Sequence, residues 1–178
     1  MKNTRCIHPR RANKIVKEFI ATLYNESVDF ALAITKGKVV NYAALGDVTD
    51  DEEVIIFIPN WEEADFKHDK GGKLFRKDFV QRCARAKGFS DVTISVLHEV
   101  GHTMTNQFLP KDYDRKTEFE KLKSNLQAKT NKEITLAYFQ MQDEVMATNW
   151  AIDWLNDAQN RKIAKKFEKK FWACFAAD

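Results

Sequence analysis

The stretch Val96-Leu97-His98-Glu99-Val100-Gly101-His102 sets the reading of this 178-residue chain, because HExxH on a helix is one of the few short patterns with a complete chemical meaning. On an α-helix the side chains at i and i+4 lie one above the other, so His98 and His102 can offer two imidazole nitrogens to a single ion. Glu99 then stands beside that ion and not on it. From there it can accept a proton from a water whose pKa a zinc ion lowers to about 7. The helix itself is predicted by Ser90-Asp91, an N-cap pair, ahead of the apolar Val92, Ile94, Val96, Leu97 and Val100.

Around this stretch the chain has the makings of one domain, residues 1–178. At 20.7 kDa it is long enough for a sizeable core. Apolar residues at 44% and aromatics at 12% exclude a disordered class. The apolar runs fall far short of the ~20 residues that cross a bilayer, so no membrane association is expected. Lys2, Arg5 and Arg10 near the start are not followed by an apolar h-region, and no secretory signal is expected. Cys6, Cys83 and Cys174 are odd in number and widely spaced, which suits reduced thiols and a cytoplasmic protein. A net charge of +3 does not by itself call for a nucleic-acid partner.

Upstream, Ala12 to Tyr24 has Ile15, Phe19, Ile20 and Leu23 at helical spacing. Asp29 to Thr35 and Lys38 to Ala44 are short β-prone runs joined through Lys36-Gly37, the pattern of a hairpin, and Glu53 to Pro59 is a third strand. Asn60 to Gly72 is polar and ends in two glycines, the pattern of a loop, and Lys73 to Lys87 is helical in period, with Gly88 as its stop. Downstream, Lys116 to Lys129 is predicted as a surface helix or lid, and Glu133 to Asp157 as one long helix. Asn160 to Phe175 is a basic amphipathic helix whose aromatic edge is expected to dock on the core, with its lysines solvated.

A catalytic zinc takes three protein ligands and leaves one position for water. A histidine six residues after His102 would supply the third, but Phe108 stands there, and no histidine follows His102. Cys83 lies inside a helical pattern without glycine-rich surroundings, which leaves a carboxylate. Glu118 and Glu120 flank Phe119 and should face solvent, and Glu133 stands at a helix start where the dipole stabilises it. Glu144 falls on the apolar stripe Ala137, Met141, Thr148, Ala151 and Leu155, where a carboxylate needs a partner. Asp143 is the alternative ligand, or a residue that orients a histidine through its other ring nitrogen. Tyr113, Tyr138 and His68 have the chemistry to stabilise an oxyanion, but no motif places them.

Two segments together resemble a known family. Glu144-Val145-Met146-Ala147-Thr148-Asn149-Trp150-Ala151-Ile152-Asp153-Trp154-Leu155 is similar to the ExxAxxFAxxLL signature of the ImmA/IrrE zinc metallopeptidases, and His98-Glu99-Val100-Gly101-His102 to their HExGH. The resemblance extends from Asp29 to Asn156. It implies zinc ligands at His98, His102 and Glu144, with Glu99 as catalytic base. It also implies a protein or peptide substrate, such as a repressor or antitoxin-like regulator of a phage or mobile element. The expected fold is α+β and zincin-like, a small antiparallel sheet packed against several helices, among them the HExxH helix and a long glutamate-bearing helix. The chain departs from the pattern at Trp150, at Thr148, and in the 41 residues between His102 and Glu144, which make Pro110 to Lys132 an inserted lid. With no helix-turn-helix segment ahead of it, a stand-alone catalytic domain is expected. The alternative from another class is a regulatory binding protein, with or without a metal, that acts through protein or nucleic-acid contacts.

Overall fold

Apolar residues repeat every three or four positions along most of the chain, and the helices they form supply the core. The structure, a computed structural model, describes residues 8–24, 30–34, 45–46, 54–58 and 70–175. Helix α1 (Pro9–Tyr24) buries Ile15, Val16, Phe19, Ile20 and Leu23 on one face and leaves Lys14, Lys17 and Glu18 exposed. Phe19 stacks on Phe167 at 4.2 Å between ring centroids and meets Trp154 edge-on at 6.1 Å. Both partners lie on later helices, so this contact joins the two ends of the described chain.

Helix α2 (Lys70–Arg82) contains Gly71 and Gly72, which had been expected in a loop. It ends where Cys83 turns extended at φ −133°, ψ 91°, and Ala84–Gly88 continues as a short 3-10 turn. Helix α3 (Asp91–Thr105) carries the HExxH residues. It is followed by a 3-10 turn (Asn106–Phe108), α4 (Arg115–Asn125), α5 (Asn131–Tyr138), α6 (Gln142–Asn156) and α7 (Ala158–Trp172). The single long helix predicted from Glu133 is therefore two. Met141, extended at φ −60°, ψ 145° and buried, separates them, and the break places Asp143 and Glu144 in the first turn of α6.

The α+β fold with a small antiparallel sheet is not the one that forms. Among the residues described down to their side chains, 81% are helical and none lies in a strand, so the protein is helical. The backbone describes three short strands, β1 (Phe30–Ile34), β2 (Leu45–Gly46) and β3 (Val54–Ile58), in the order β1-β3-β2. β1 lies parallel to β3, with Phe30 opposite Val54, and β2 lies antiparallel to β3. The run Lys38 to Ala44 lies outside the described residues. Among the described residues no strand has an extensive contact with a helix. The physical reason is that the apolar faces of α1, α3, α6 and α7 close on one another and form the core described here.

The most extensive contact between helices is that of α3 with α6. Gly101 makes it possible. A Cβ at this position would lie 3.0 Å from both Cα and the carbonyl carbon of Ala147, and nearer still to that carbonyl oxygen. The two backbones can cross this closely only because position 101 carries no side chain.

Helix α7 behaves as an outer helix. Ala164, Phe167 and Phe171 are buried against the core while Lys162, Lys165, Lys166, Lys169 and Lys170 are exposed, as the docking reading expected. Glu168 on its flank reaches the start of α3, where Oε1 accepts from the Ser90 N–H (2.5 Å), the Ser90 hydroxyl (2.6 Å) and the Thr93 hydroxyl (2.6 Å). Ser90 is the N-cap residue, but the capping acceptor is supplied from α7. Among the described residues no helix is long and apolar enough to cross a membrane.

Candidate metal centre

The crossing at Gly101 brings the side chains one turn away on α3 against the first turn of α6. His98 and His102 project from the same face, with ring centroids 4.7 Å apart. Glu144 faces them from α6. Its Oε2 lies 3.0 Å from His98 Nε2 and its Oε1 3.6 Å from His102 Nε2. One ligand atom from each residue can be chosen so that all lie within 4.8 Å of one another. His98 and Glu144 are buried and His102 is partly so. Phe75 from α2 covers the site on one side, its ring edge-on to His98 at 4.8 Å.

A buried carboxylate must be compensated, and this one is compensated several times over. Burial alone would raise the pKa of Glu144, but hydrogen bonds and charge from His102 and His98 hold it far below the usual carboxylate range. Burial lowers the pKa of His102, and Glu144, with Glu99 and Asp143 behind it, outweighs burial and raises it. The start of α6 adds the positive end of a helix dipole beneath Glu144.

His98 is oriented from its far side, because Thr148 Oγ1 lies 3.2 Å from Nδ1. A hydroxyl can donate or accept. Thr148 can therefore donate to Nδ1 while Nε2–H serves Glu144, and accept from Nδ1–H when Nε2 binds a metal. Thr148 thus occupies the orienting position. Asp143, the alternative ligand, has a different task. Its Oδ1 accepts from the Tyr113 hydroxyl (2.7 Å) and from the Glu144 N–H (2.9 Å), and its Oδ2 pairs with Arg115.

Arg115 is the residue that sequence reasoning missed. From the first position of α4 it bridges Asp143 Oδ2 and Glu144 Oε1, and it donates to the Tyr138 hydroxyl at 2.5 Å. No motif marks it. The available signal was the adjacent pair Asp143-Glu144 on an inward-facing turn, which demands a cation from another element. Tyr138 and Tyr113 both border the site, whereas His68 lies outside the described residues. Glu99 is partly exposed, and its charge is felt at both His102 and Tyr138.

No protein family, curated protein or solved structure matches this chain. The fold and site define a helical protein with a buried His98-His102-Glu144 group able to hold a metal ion. The donor set, two imidazole nitrogens and a carboxylate oxygen, is of the kind from which protein metal sites are built.

Proposed function

We propose that this protein is a zinc-dependent peptidase that hydrolyses peptide bonds of a protein substrate. The observation that carries the proposal is the convergence of His98, His102 and Glu144 from two helices, with Glu99 one position along α3 from the first ligand. His98, His102 and Glu144 would hold the ion. Zinc bound there would supply a Lewis acid for the scissile carbonyl and would make water acidic near neutral pH. Glu99 accepts a proton from the attacking water and passes it to the leaving amine. Thr148 keeps His98 oriented, and Phe75 keeps solvent from one side of the donors. The similarity to the ImmA/IrrE motifs supports a narrow substrate, a regulator of a phage or mobile element.

The test is Glu99→Gln. The variant should bind zinc as the wild type does and cleave nothing that the wild type cleaves. Undiminished cleavage, or an undiminished biological effect, would contradict the peptidase reading.

Arg115 favours one other reading. Since it already pairs with Asp143 and Glu144, the cluster can serve as a metal-free clasp in a regulatory binding protein. That reading predicts no uptake of zinc by the purified chain.

A further inference from the structure

None of the residues of helix α4 is fully buried, and its apolar contacts are modest: Phe119 and Leu122 are half-buried, with the Phe119 ring edge-on to Tyr138 at 6.2 Å. Its start is fixed by polar ties. Asp114, the N-cap residue, accepts the N–H of Lys116 at 3.3 Å and of Thr117 at 3.1 Å, which fixes the turn from which Arg115 projects. The Arg115 side chain, 45% exposed, then crosses to α6, and its guanidinium carbon lies 5.1 Å from the centre of the Tyr138 ring. Both carboxylates that it meets are buried.

The two oxygens of Glu144 are therefore in different company. Oε2 faces His98 Nε2 at 3.0 Å. Oε1 lies 3.6 Å from His102 Nε2, beyond hydrogen-bond distance, and is held by Arg115 Nη2, while Arg115 Nη1 is anchored on Asp143 Oδ2. A guanidinium keeps its charge at any pH a protein survives, and its planar fork matches a pair of carboxylate oxygens. The second tie, to Asp143, keeps the fork in place even when the charge around Glu144 changes. A carboxylate free on both sides can give a metal one oxygen or two, and the second oxygen would take the position that a hydrolytic site reserves for water.

We propose that Arg115 is a positioning residue of the metal centre: it occupies Oε1 of Glu144, leaves Oε2 for an ion shared with His98 and His102, and so keeps one position open for water. The inference rests on the metal-site reading above. It gives the segment between His102 and Glu144 a task, which is to deliver a fixed cation to the third ligand. A merely structural strap would also tie α4 to α6, but it would leave the ligand count unchanged.

The experiment is titration of the metal-free full chain with Co2+, whose visible absorption weakens as ligands are added, in the wild type, Arg115→Met and Arg115→Lys. The wild type should bind one Co2+ with the intense band of a four-coordinate site. Arg115→Met should still bind one Co2+, with a band weaker by roughly twofold or more as the second oxygen of Glu144 joins. Arg115→Lys, which keeps the charge without the fork, should fall between them. A band in Arg115→Met equal to that of the wild type overturns the inference. If Arg115→Met does not fold, the wild-type crystal soaked in Zn2+ decides: Glu144 bound through one oxygen with Arg115 on the other supports the inference, and Glu144 bound through both overturns it. A wild type that takes up neither Co2+ nor Zn2+ removes the metal-site reading itself.

Discussion

Replacing Gly101 with alanine tests the geometry on which the site is built. In an ordinary helix this exchange stabilises by about 1 kcal/mol, because alanine is the better helix former. Here the new methyl group would stand 3.0 Å from two carbon atoms of the Ala147 backbone and closer to its oxygen, where ordinary contact begins at 3.4 Å. Backbone atoms inside two packed helices cannot swing aside, so α3 and α6 must separate by a few tenths of an ångström or more. Overpacking costs about 1–3 kcal/mol, and a clash with backbone atoms belongs to the upper part of that range, about 2–3 kcal/mol, so after the helix-propensity gain a net loss of about 1–2 kcal/mol is expected. With a urea dependence of about 2 kcal/mol per molar, the unfolding midpoint should fall by roughly 0.5–1 M. The same separation moves Glu144 away from His98 and His102, so zinc affinity should weaken along with stability. Urea denaturation and zinc titration of the purified variant measure both. A Gly101→Ala protein more stable than wild type, with unchanged zinc affinity, would show that the two helices do not cross as described.

Other substitutions probe the surroundings. Glu168→Ala strips the shared acceptor from the Ser90 N–H, the Ser90 hydroxyl and the buried Thr93 hydroxyl, and should cost about 2–3 kcal/mol in denaturant unfolding; a loss within 0.5 kcal/mol would mean that α7 does not cap α3. Thr148→Val keeps the side-chain shape but removes the partner of His98 Nδ1, so zinc should bind about tenfold more weakly, and equal affinity would remove Thr148 from the centre. In the metal-free protein, the depressed pKa of Glu144 contributes stability above its unfolded value of about 4.3, which is lost as pH falls through the folded value. The raised pKa of His102 contributes stability below about 6.5, which is lost as pH rises through the folded value. Urea midpoints in chelator should therefore be highest between about pH 4.5 and 6.5, and the decline towards alkaline pH should flatten in Glu144→Gln. An alkaline limb identical in the two proteins would disconnect His102 from Glu144.

The site was more legible in the sequence than the fold. His98 and His102 follow from spacing alone, and Glu144 from its place on an otherwise apolar stripe, because helical periodicity decides which residues share a face. Thr148 lies four residues after Glu144 on that same stripe, and it meets His98 for the same reason. Arg115 was invisible, since a pairing across 29 positions depends on how α4 folds back and no local pattern records that. The break at Met141 was hidden because the apolar period runs through it, and only its extended backbone marks the start of α6. The sheet was misjudged for a different reason. Val54 to Ile58 follows its local preference and forms β3, but how strands pair and which surfaces close the core are tertiary choices, and the described core is supplied largely by helices.

The most direct test is the anomalous scattering of a zinc-soaked crystal measured at the zinc absorption edge. A single peak about 2.0–2.2 Å from His98 Nε2, His102 Nε2 and a Glu144 oxygen is the expected result. A well-ordered site with no peak there, or with the ion bound elsewhere while Glu144 stays on Arg115, would contradict the account.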